Sequence, residues 1–493
     1  MSAFEQDPAA ILERLAVLRD ADAPTHGGRV LSYVYDSGLA ELDELAASAI
    51  RAVQPLNGLD PTTFTSIAVM ERELVGFARR VLHGDDDVVG TVTSGGTESC
   101  LLAVKTARDA WRAAGGTGVP RLVAPTTVHA AFHKAAHYFG LDLDLVPVDV
   151  ETGAPSVSAI AARLDSAVAI VVVSAPSYPT ATLDPIAEVA AIAAERGIAC
   201  HVDACIGGFA LPWWRGGSVP AWDFRIPGVT SLSADLHKYG YAPKGVSVLL
   251  QRGRDRQRMQ YFATTRWPGY PVVNPTLLGS KSAGPLAASW AITHALGDAG
   301  FARLTAAAER ATDALIGVVG AIDGLRIVGD PVGPLFAVAA DDSVPAGRRV
   351  DPHHWADAAR TLGWVIQLQP GLTQADGTRL PHTTHLTITP VTESRLAELG
   401  PALVSAADAV RGMPAASAAP YLEALEPVLG SLHGVLPDSD GAAAILAAVG
   451  IGGPDGGGLP ARLAPLLALI EAMPSALAER LLTELLARLV EPS

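Results

Sequence analysis

The sequence predicts an α/β protein: a large domain on a mostly parallel, seven-stranded-type sheet, a small α+β domain, and a helical C-terminal extension. Three observations carry this reading. Between residues 61 and 300, short Val/Ile/Leu runs alternate with amphipathic helical stretches, the pattern of parallel strands covered on both faces by helices. Between 301 and 412 the order becomes helix, two strands, helix, two strands, helix. From 413 to 493 the composition shifts to Ala, Leu, Pro and Gly, with apolar stripes at helical spacing.

Residues 1–60 read as helix and loop. The segment AELDELAASAIRAV (40–53) repeats its apolar residues near every 3.6 positions and is expected to pack on a partner subunit. In 61–300, Val88, Val89 and Val92 mark a first strand, and RLVAP, LDLVPVD, VAIVVVSAP, IACHVDA, VTSLSAD and GVSVLLQ mark the others. In the small domain the strands are LRIVG, PLFAVAA, WVIQLQP and THLTITP, around the helix HHWADAARTLG. The tail breaks at GIGGPDGGGLP between helical pieces such as LAPLLALIEAM and SALAERLLTELLARLV, and it carries no chemical constellation.

The 493-residue chain has a formal charge of −15, which argues against a nucleic-acid partner. Its opening, MSAFEQDPAAILERL, is acidic and amphipathic, unlike a signal peptide. The longest apolar run, AVAIVVVSAP, falls well short of the roughly 18 residues of a membrane span, so no membrane anchor is expected. Cys100, Cys200 and Cys205 cannot form a paired framework and read as reduced, buried thiols of a cytoplasmic protein. His353 and His354 open a helix and His382 and His385 flank a strand, so no metal site is expected.

Three segments carry chemistry. SLSADLHKYGYAPKG (231–245) leads from a strand end through His237 and Lys238 into a Gly/Pro turn. That suits a lysine forming an imine with pyridoxal 5'-phosphate, in a buried site that lowers its pKa. TSGGTES (93–99) reads as strand, Gly-rich turn and helix start, offering backbone N–H groups and the Thr97 and Ser99 hydroxyls to a phosphate. HVDACIGGF (201–209) brings one carboxylate, Asp203, out of an apolar strand, where it needs a cationic partner such as a protonated pyridine nitrogen. Taken singly, each has an ordinary reading: a solvated turn for the His-Lys pair, a plain loop for SGG, a turn cap for Asp203. Their order along the chain is what joins them.

With these three segments the chain resembles the fold-type I pyridoxal phosphate enzymes, within them the group II decarboxylase and sphingosine-1-phosphate lyase branch, from about Tyr33 to about Val410. The resemblance implies an aspartate aminotransferase-like fold and a homodimer with its site at the subunit interface. It further implies that His129 stacks on the pyridine face, that Gly96 and Thr97 hold the cofactor phosphate, and that His237 precedes the imine lysine. Lys244 matches a second lysine near the site, and Tyr35, in SYVYDSG, a tyrosine that reaches the substrate cavity. Gly279 and Ser280, in NPTLLGSKSAG, match a loop that enters the neighbouring subunit's site. Cys205 falls where the family packs a small residue.

Two segments depart from the lyases. QPLNGLDPTTF (54–64) lacks their phosphate-binding histidine, and Lys281 stands in place of an arginine, keeping charge but losing the bidentate fork. The expected activity is cleavage of a bond to the amine-bearing carbon, by decarboxylation or by retro-aldol cleavage, with Lys238, Tyr35 or His129 returning the proton. An aminotransferase, a cysteine desulfurase and a non-catalytic scaffold remain as alternatives. None of the cysteines lies in an obvious mobile loop, which counts against the desulfurase.

Overall fold

The computed structural model describes residues 4–431, 435–451 and 460–492. Helix α1 (Pro8–Arg19) starts at Asp7, whose carboxylate accepts from the Ala9 N–H, and none of its residues is buried. The segment expected against a partner subunit forms α2 (Ala40–Val53), one side of which packs on the helix of residues 284–320 in its own chain. Leu42 and Ala46 enter the main core, and Ile50 lies against Gly284, because the apolar stripe of α2 meets the small-residue start of that helix.

Helix α3 (Thr65–Val81) leads to β1 (Val88–Thr93), α4 (Gly96–Ala113), β2 (Arg121–Pro125), α5 (Ala130–Phe139) and β3 (Asp142–Val146). Then come α6 (Val157–Ala161), β4 (Val168–Ser174), α7 (Ile186–Glu195), β5 (Ala199–Asp203), β6 (Ser231–Ala234) and β7 (Ser247–Arg252). These strands form one seven-stranded sheet in the order β1-β7-β6-β5-β4-β2-β3. All pairings are parallel except those of β7, which runs antiparallel between β1 and β6.

Strand β4 is buried along its whole length, as a two-sided Val/Ile run requires. Val171 and Val173 face the core shared with α3 and α7, while Ile170 and Val172 face Leu101 and Val104 of α4 and Phe132 of α5. Beyond the sheet, α8 (Arg254–Arg258) precedes a hairpin that the periodicity did not reveal, β8 (Phe262–Thr264) with β9 (Val272–Asn274). Its Phe262, Trp267, Tyr270 and Val273 are exposed.

The expected boundary near residue 300 falls inside α9 (Gly284–Gly320), which breaks at Gly297 and carries the chain to the second sheet. That sheet, order β10-β11-β15-β12, is antiparallel and built from β10 (Leu325–Ile327), β11 (Leu335–Ala340), β12 (Gln367–Gln369) and β15 (Thr383–Thr387). A small hairpin, β13 (Leu372–Thr373) with β14 (Arg379–Leu380), interrupts it. Helices α10 (Pro352–Thr361), α11 (Pro390–Glu393) and α12 (Leu396–Val410) complete the unit, and the Trp355 indole N–H donates to the Leu403 carbonyl at 2.9 Å to tie α10 to α12.

The tail forms α13 (Ala419–Ser431), α14 (Ser439–Ala448), α15 (Ala464–Ala472) and α16 (Ser475–Leu489) around a core of its own that includes Leu425, Ile445 and Leu481. It is fastened to the small unit through α15, where Arg379 pairs with Glu471 at 2.7 Å and Leu463 and Leu467 pack on the small unit's core. The buried Asp357 carboxylate of α10 accepts from the Leu463 and Ala464 N–H groups at 2.9 and 3.0 Å, capping α15 from outside. The Gly-rich break expected between the tail helices lies, at 452–459, outside the described residues.

Candidate active site

A cavity of about 480 Å³ opens beyond the carboxyl ends of β4, β5 and β6, beside the turn that follows β1. Strand ends are where an open α/β sheet presents its polar residues. Lys238, Asp203, His129, Gly96, Thr97, His237 and Lys244 all line this cavity.

The turn after β1 depends on its two glycines. Gly95 has φ 152°, ψ 169°, which is glycine territory. Gly96 has no room for a side chain: a Cβ there would lie 2.5 Å from Asp235 Oδ2 and 2.9 Å from Cys205 Sγ. Thr97 is exposed at the cavity rim at the start of α4. Ser99, expected as a further phosphate donor, is fully buried elsewhere. Its hydroxyl is taken up by Thr93 Oγ1 (2.7 Å) and Ser247 Oγ (3.0 Å), because its position on α4 turns it inward to the sheet. Glu98 instead faces the cavity and braces the turn, accepting from the Ser94 and Leu277 N–H groups, each at 2.6 Å.

Lys238 follows β6 in a tight turn, and its Nζ lies 3.1 Å from the buried Oδ2 of Asp235. Burial favours the neutral amine, yet Asp235, with Tyr35, Cys205 and Asp203 behind it, outweighs burial and holds Lys238 well above its ordinary pKa. The expectation of a lowered pKa is thereby corrected; the sequence reading had not included Asp235. Burial raises Asp235 in turn, but Lys238 and His237 more than offset it and keep it below the usual carboxylate range. His237 Nδ1 accepts from the Val246 N–H at 3.2 Å, and Nε2 faces Asp235 Oδ2 at 3.5 Å.

Asp203 ends β5 and Oδ1 accepts from the Cys205 N–H at 3.1 Å, so it caps the turn and faces the cavity at once. His129 likewise does both: Nδ1 caps α5 by accepting from the Ala131 N–H at 3.2 Å, while the ring lines the cavity and burial lowers its pKa.

Tyr35 stacks edge-on against Tyr239 at 5.2 Å, with Lys244 Nζ 4.5 Å above its ring. Burial raises the Tyr35 pKa, and Lys238 partly offsets the rise. Lys244 donates to the His237 carbonyl at 3.0 Å, and burial followed by repulsion from Lys238 pulls it down to about 8. Gly279 and Ser280 lie outside the cavity of their own chain; Ser280 Oγ accepts from Asn57 Nδ2 at 3.1 Å. The two segments that depart from the lyases thus meet: the Gly58 N–H donates to the Lys281 carbonyl at 2.8 Å. They border a second pocket of about 210 Å³ that shares Ser94 and Gly245 with the main cavity.

The sequence reading missed Asp235, Glu98 and Tyr178. Asp235 stands three residues before Lys238, the spacing that brings two side chains together in a turn. Tyr178 follows the carboxyl end of β4, a position that alone flags a residue as cavity-facing. Its ring stacks on His385 at 4.2 Å, and its buried hydroxyl has no hydrogen-bond partner among the described residues. The rings of His353 and His382 lie tilted 4.6 Å apart, and His382 Nε2 lies 2.7 Å from Asp351, the residue that caps α10.

These residues fit pyridoxal 5'-phosphate. A glycine turn at a helix start suits the phosphate, the β5 carboxylate a cationic ring nitrogen, and the buried amine an aldehyde. Asp235 Oδ1 and the Tyr178 hydroxyl, both buried at this cavity, are polar atoms without partners among the described residues.

Residues 63–264 match the family "Pyridoxal-dependent decarboxylase conserved domain", and 414–488, where the sequence reading found no resemblance, match "Pyridoxal-dependent enzyme, C-terminal putative HTH domain". The chain is 39% identical over 288 residues to sphingosine-1-phosphate lyase of Dictyostelium discoideum, covering 58% of this chain and 54% of the relative. It is 33% identical over 393 residues to the sphingosine-1-phosphate lyase of Arabidopsis thaliana, covering 78% and 68%. The chain thus spans little more than half the length of the first of these relatives. The structure of a sphingosine-1-phosphate lyase from Burkholderia pseudomallei superposes with a TM-score of 0.76 at 32% identity, covering 89% of this chain and 97% of that one. Lactobacillus brevis glutamate decarboxylase shares the fold, with a TM-score of 0.73 at 20% identity over 84% of this chain and 95% of its own.

Proposed function

Because this chain belongs to the family of pyridoxal-dependent group II decarboxylases and sphingosine-1-phosphate lyases, we propose that it is a carbon–carbon lyase acting on an amino alcohol phosphate or an amino acid. The observation that carries the reading is the lodging of Lys238, Asp203 and His129 in one cavity behind the Gly95–Gly96 turn. Bound pyridoxal 5'-phosphate supplies an aldehyde for the substrate amine and a cationic ring that accepts electrons from the breaking bond.

The chain's own residues do the rest. The turn at Gly96 and Thr97 would hold the phosphate, and the Asp203 carboxylate would keep a proton on the ring nitrogen. The His129 ring, fixed by its cap on α5, would cover one ring face. Lys238 Nζ or Tyr178, both lining the cavity, or Tyr35 behind them would hand a proton to the substrate carbon, and Asp235, 3.1 Å from Lys238 Nζ, would keep the lysine charged for that task. Lys281 lines a second pocket that shares the lining residues Ser94 and Gly245 with the cavity, which supports a phosphate on the substrate, met as a point charge.

A homodimer agrees with the exposed aromatic hairpin and with Gly279 and Ser280 lying outside their own cavity. No helix among the described residues is long and apolar enough to cross a membrane; a cytoplasmic setting is part of the proposal. For the tail, charge speaks against nucleic acid. Residues 414–488 hold eight Asp or Glu against three Arg, and Arg480 and Arg488 are both paired with Glu484.

The test is product analysis by mass spectrometry after incubation with amino acids, β-hydroxy amino acids and amino alcohol phosphates. An aldehyde with a smaller phosphorylated amine is the expected result, absent with Lys238→Ala. An amine shortened by carbon dioxide would assign decarboxylation within the same proposal. A keto acid, or turnover by Lys238→Ala, would overturn it.

A further inference from the structure

Two thiols and a carboxylate converge at the floor of the cavity. The Sγ atoms of Cys100 and Cys205 and a carboxylate oxygen of Asp203 all lie within 4.8 Å of one another, and all three residues are buried yet line the cavity. They come from different elements: Cys100 from the second turn of α4, Asp203 from the end of β5, Cys205 from the loop after it. The arrangement is therefore set by the sheet and α4 rather than by one flexible loop.

The surroundings resemble the outer shell of a metal site. Ser233 Oγ lies 3.3 Å from Cys205 Sγ and 4.0 Å from Cys100 Sγ, and is itself held by His201 Nε2 at 3.2 Å. His201 Nδ1 continues the chain to Ser231 Oγ at 2.8 Å. Such a polar relay behind the ligands fixes their direction. On the opposite side the cavity leaves room for a further ligand from solvent. Two sulfurs and one oxygen select a soft divalent cation of the zinc and cadmium class over magnesium or calcium. Cys200, the third cysteine, is buried in the sheet and takes no part in this group.

We propose that Cys100, Cys205 and Asp203 form a thiophilic metal site in the cofactor-free chain, and that pyridoxal 5'-phosphate and the metal exclude each other because both require Asp203. As the metal binds, each thiol gives its proton to solvent and forms a sulfur–metal bond. The exclusion, though not the site, rests on the cofactor reading above.

The probe is Cd²⁺ alone, titrated into the full-length chain with and without pyridoxal 5'-phosphate. Ultraviolet thiolate-to-cadmium absorbance reports the metal, visible absorbance reports the cofactor, and circular dichroism reports the fold of each variant. The expected result is one tightly bound Cd²⁺, its band lost in Cys100→Ser and Cys205→Ser and kept in Cys200→Ala, with affinity at least about tenfold weaker in Asp203→Asn. Saturating pyridoxal 5'-phosphate should abolish the band. A band unaffected by Cys100→Ser in a folded variant, or metal and cofactor bound together, would overturn the inference. A chain that binds Cd²⁺ as described but gives no visible cofactor absorbance would overturn the exclusion and the cofactor reading and leave the site standing.

Discussion

Replacing Asp235 with asparagine separates what burial does to Lys238 from what its partner does. At 3.1 Å, two unit charges at an effective dielectric constant of about 20 attract by about 5 kcal/mol. Tyr35, Cys205 and Asp203 remain in Asp235→Asn and preserve part of the elevation. Lys238 should therefore give up its proton at lower pH in this variant, and trapping near pH 8 should be at least about tenfold faster. The assay is borohydride trapping of pyridoxal 5'-phosphate on Lys238, quantified by peptide mass spectrometry across the pH range. Asparagine preserves the shape of the turn, and Lys238 can discard its proton rather than stay charged and unpaired. The loss of stability should therefore stay below the roughly 3–5 kcal/mol of a broken buried pair. Trapping profiles that coincide, or slower trapping by a variant that melts normally, would refute the argument that Asp235 holds the lysine charged.

Tyr178→Phe removes a buried hydroxyl that has no partner among the described residues. Stability measured by urea unfolding should hold or rise by up to about 1 kcal/mol, while turnover falls about 100-fold if that hydroxyl handles a proton; undiminished turnover would exclude the role. His385 is buried and its pKa is pressed by burial to about 3, against about 6.5 in the unfolded chain. Between those values only the unfolded chain takes up the proton, so stability is lost as pH falls through about 6.5, by about 2 kcal/mol at pH 5 for this one residue. His385→Phe, which keeps an aromatic ring against Tyr178, should shrink the pH 7 to pH 5 difference in urea stability by that amount; an unchanged difference would place the titration elsewhere.

The sequence made the large sheet legible because two-sided burial writes itself as unbroken Val/Ile runs, and β4 is the plainest case. It made the site legible where chemistry demands one residue type, as at Lys238, Asp203 and the Gly95–Gly96 turn. Side-chain partnerships across the fold were hidden. Ser99 has a hydroxyl of the expected kind, and only the packing of α4 on β7 shows that it points away from the cavity. Asp235 was in plain view, but its hold on Lys238 depends on a 3.1 Å approach that residue order does not encode. The β8–β9 hairpin escaped because its exposed aromatic residues have no period to read.

Strand β7 has a consequence for how the protein acquires its site. It leaves the lysine turn and runs back antiparallel to pair on one side with β6 and on the other with β1, setting Ser247 opposite Thr93. The glycine turn and the lysine turn, far apart in sequence, are held together by this strand and by the packing of α4 on β6. Closing so long a loop is slow and entropically costly, so the two turns should come together late in folding. Every residue lining the cavity precedes β7, yet a fragment ending before β7 lacks the strand that pairs β1 with β6 and should bind neither cofactor nor substrate, however well its parallel strands have formed.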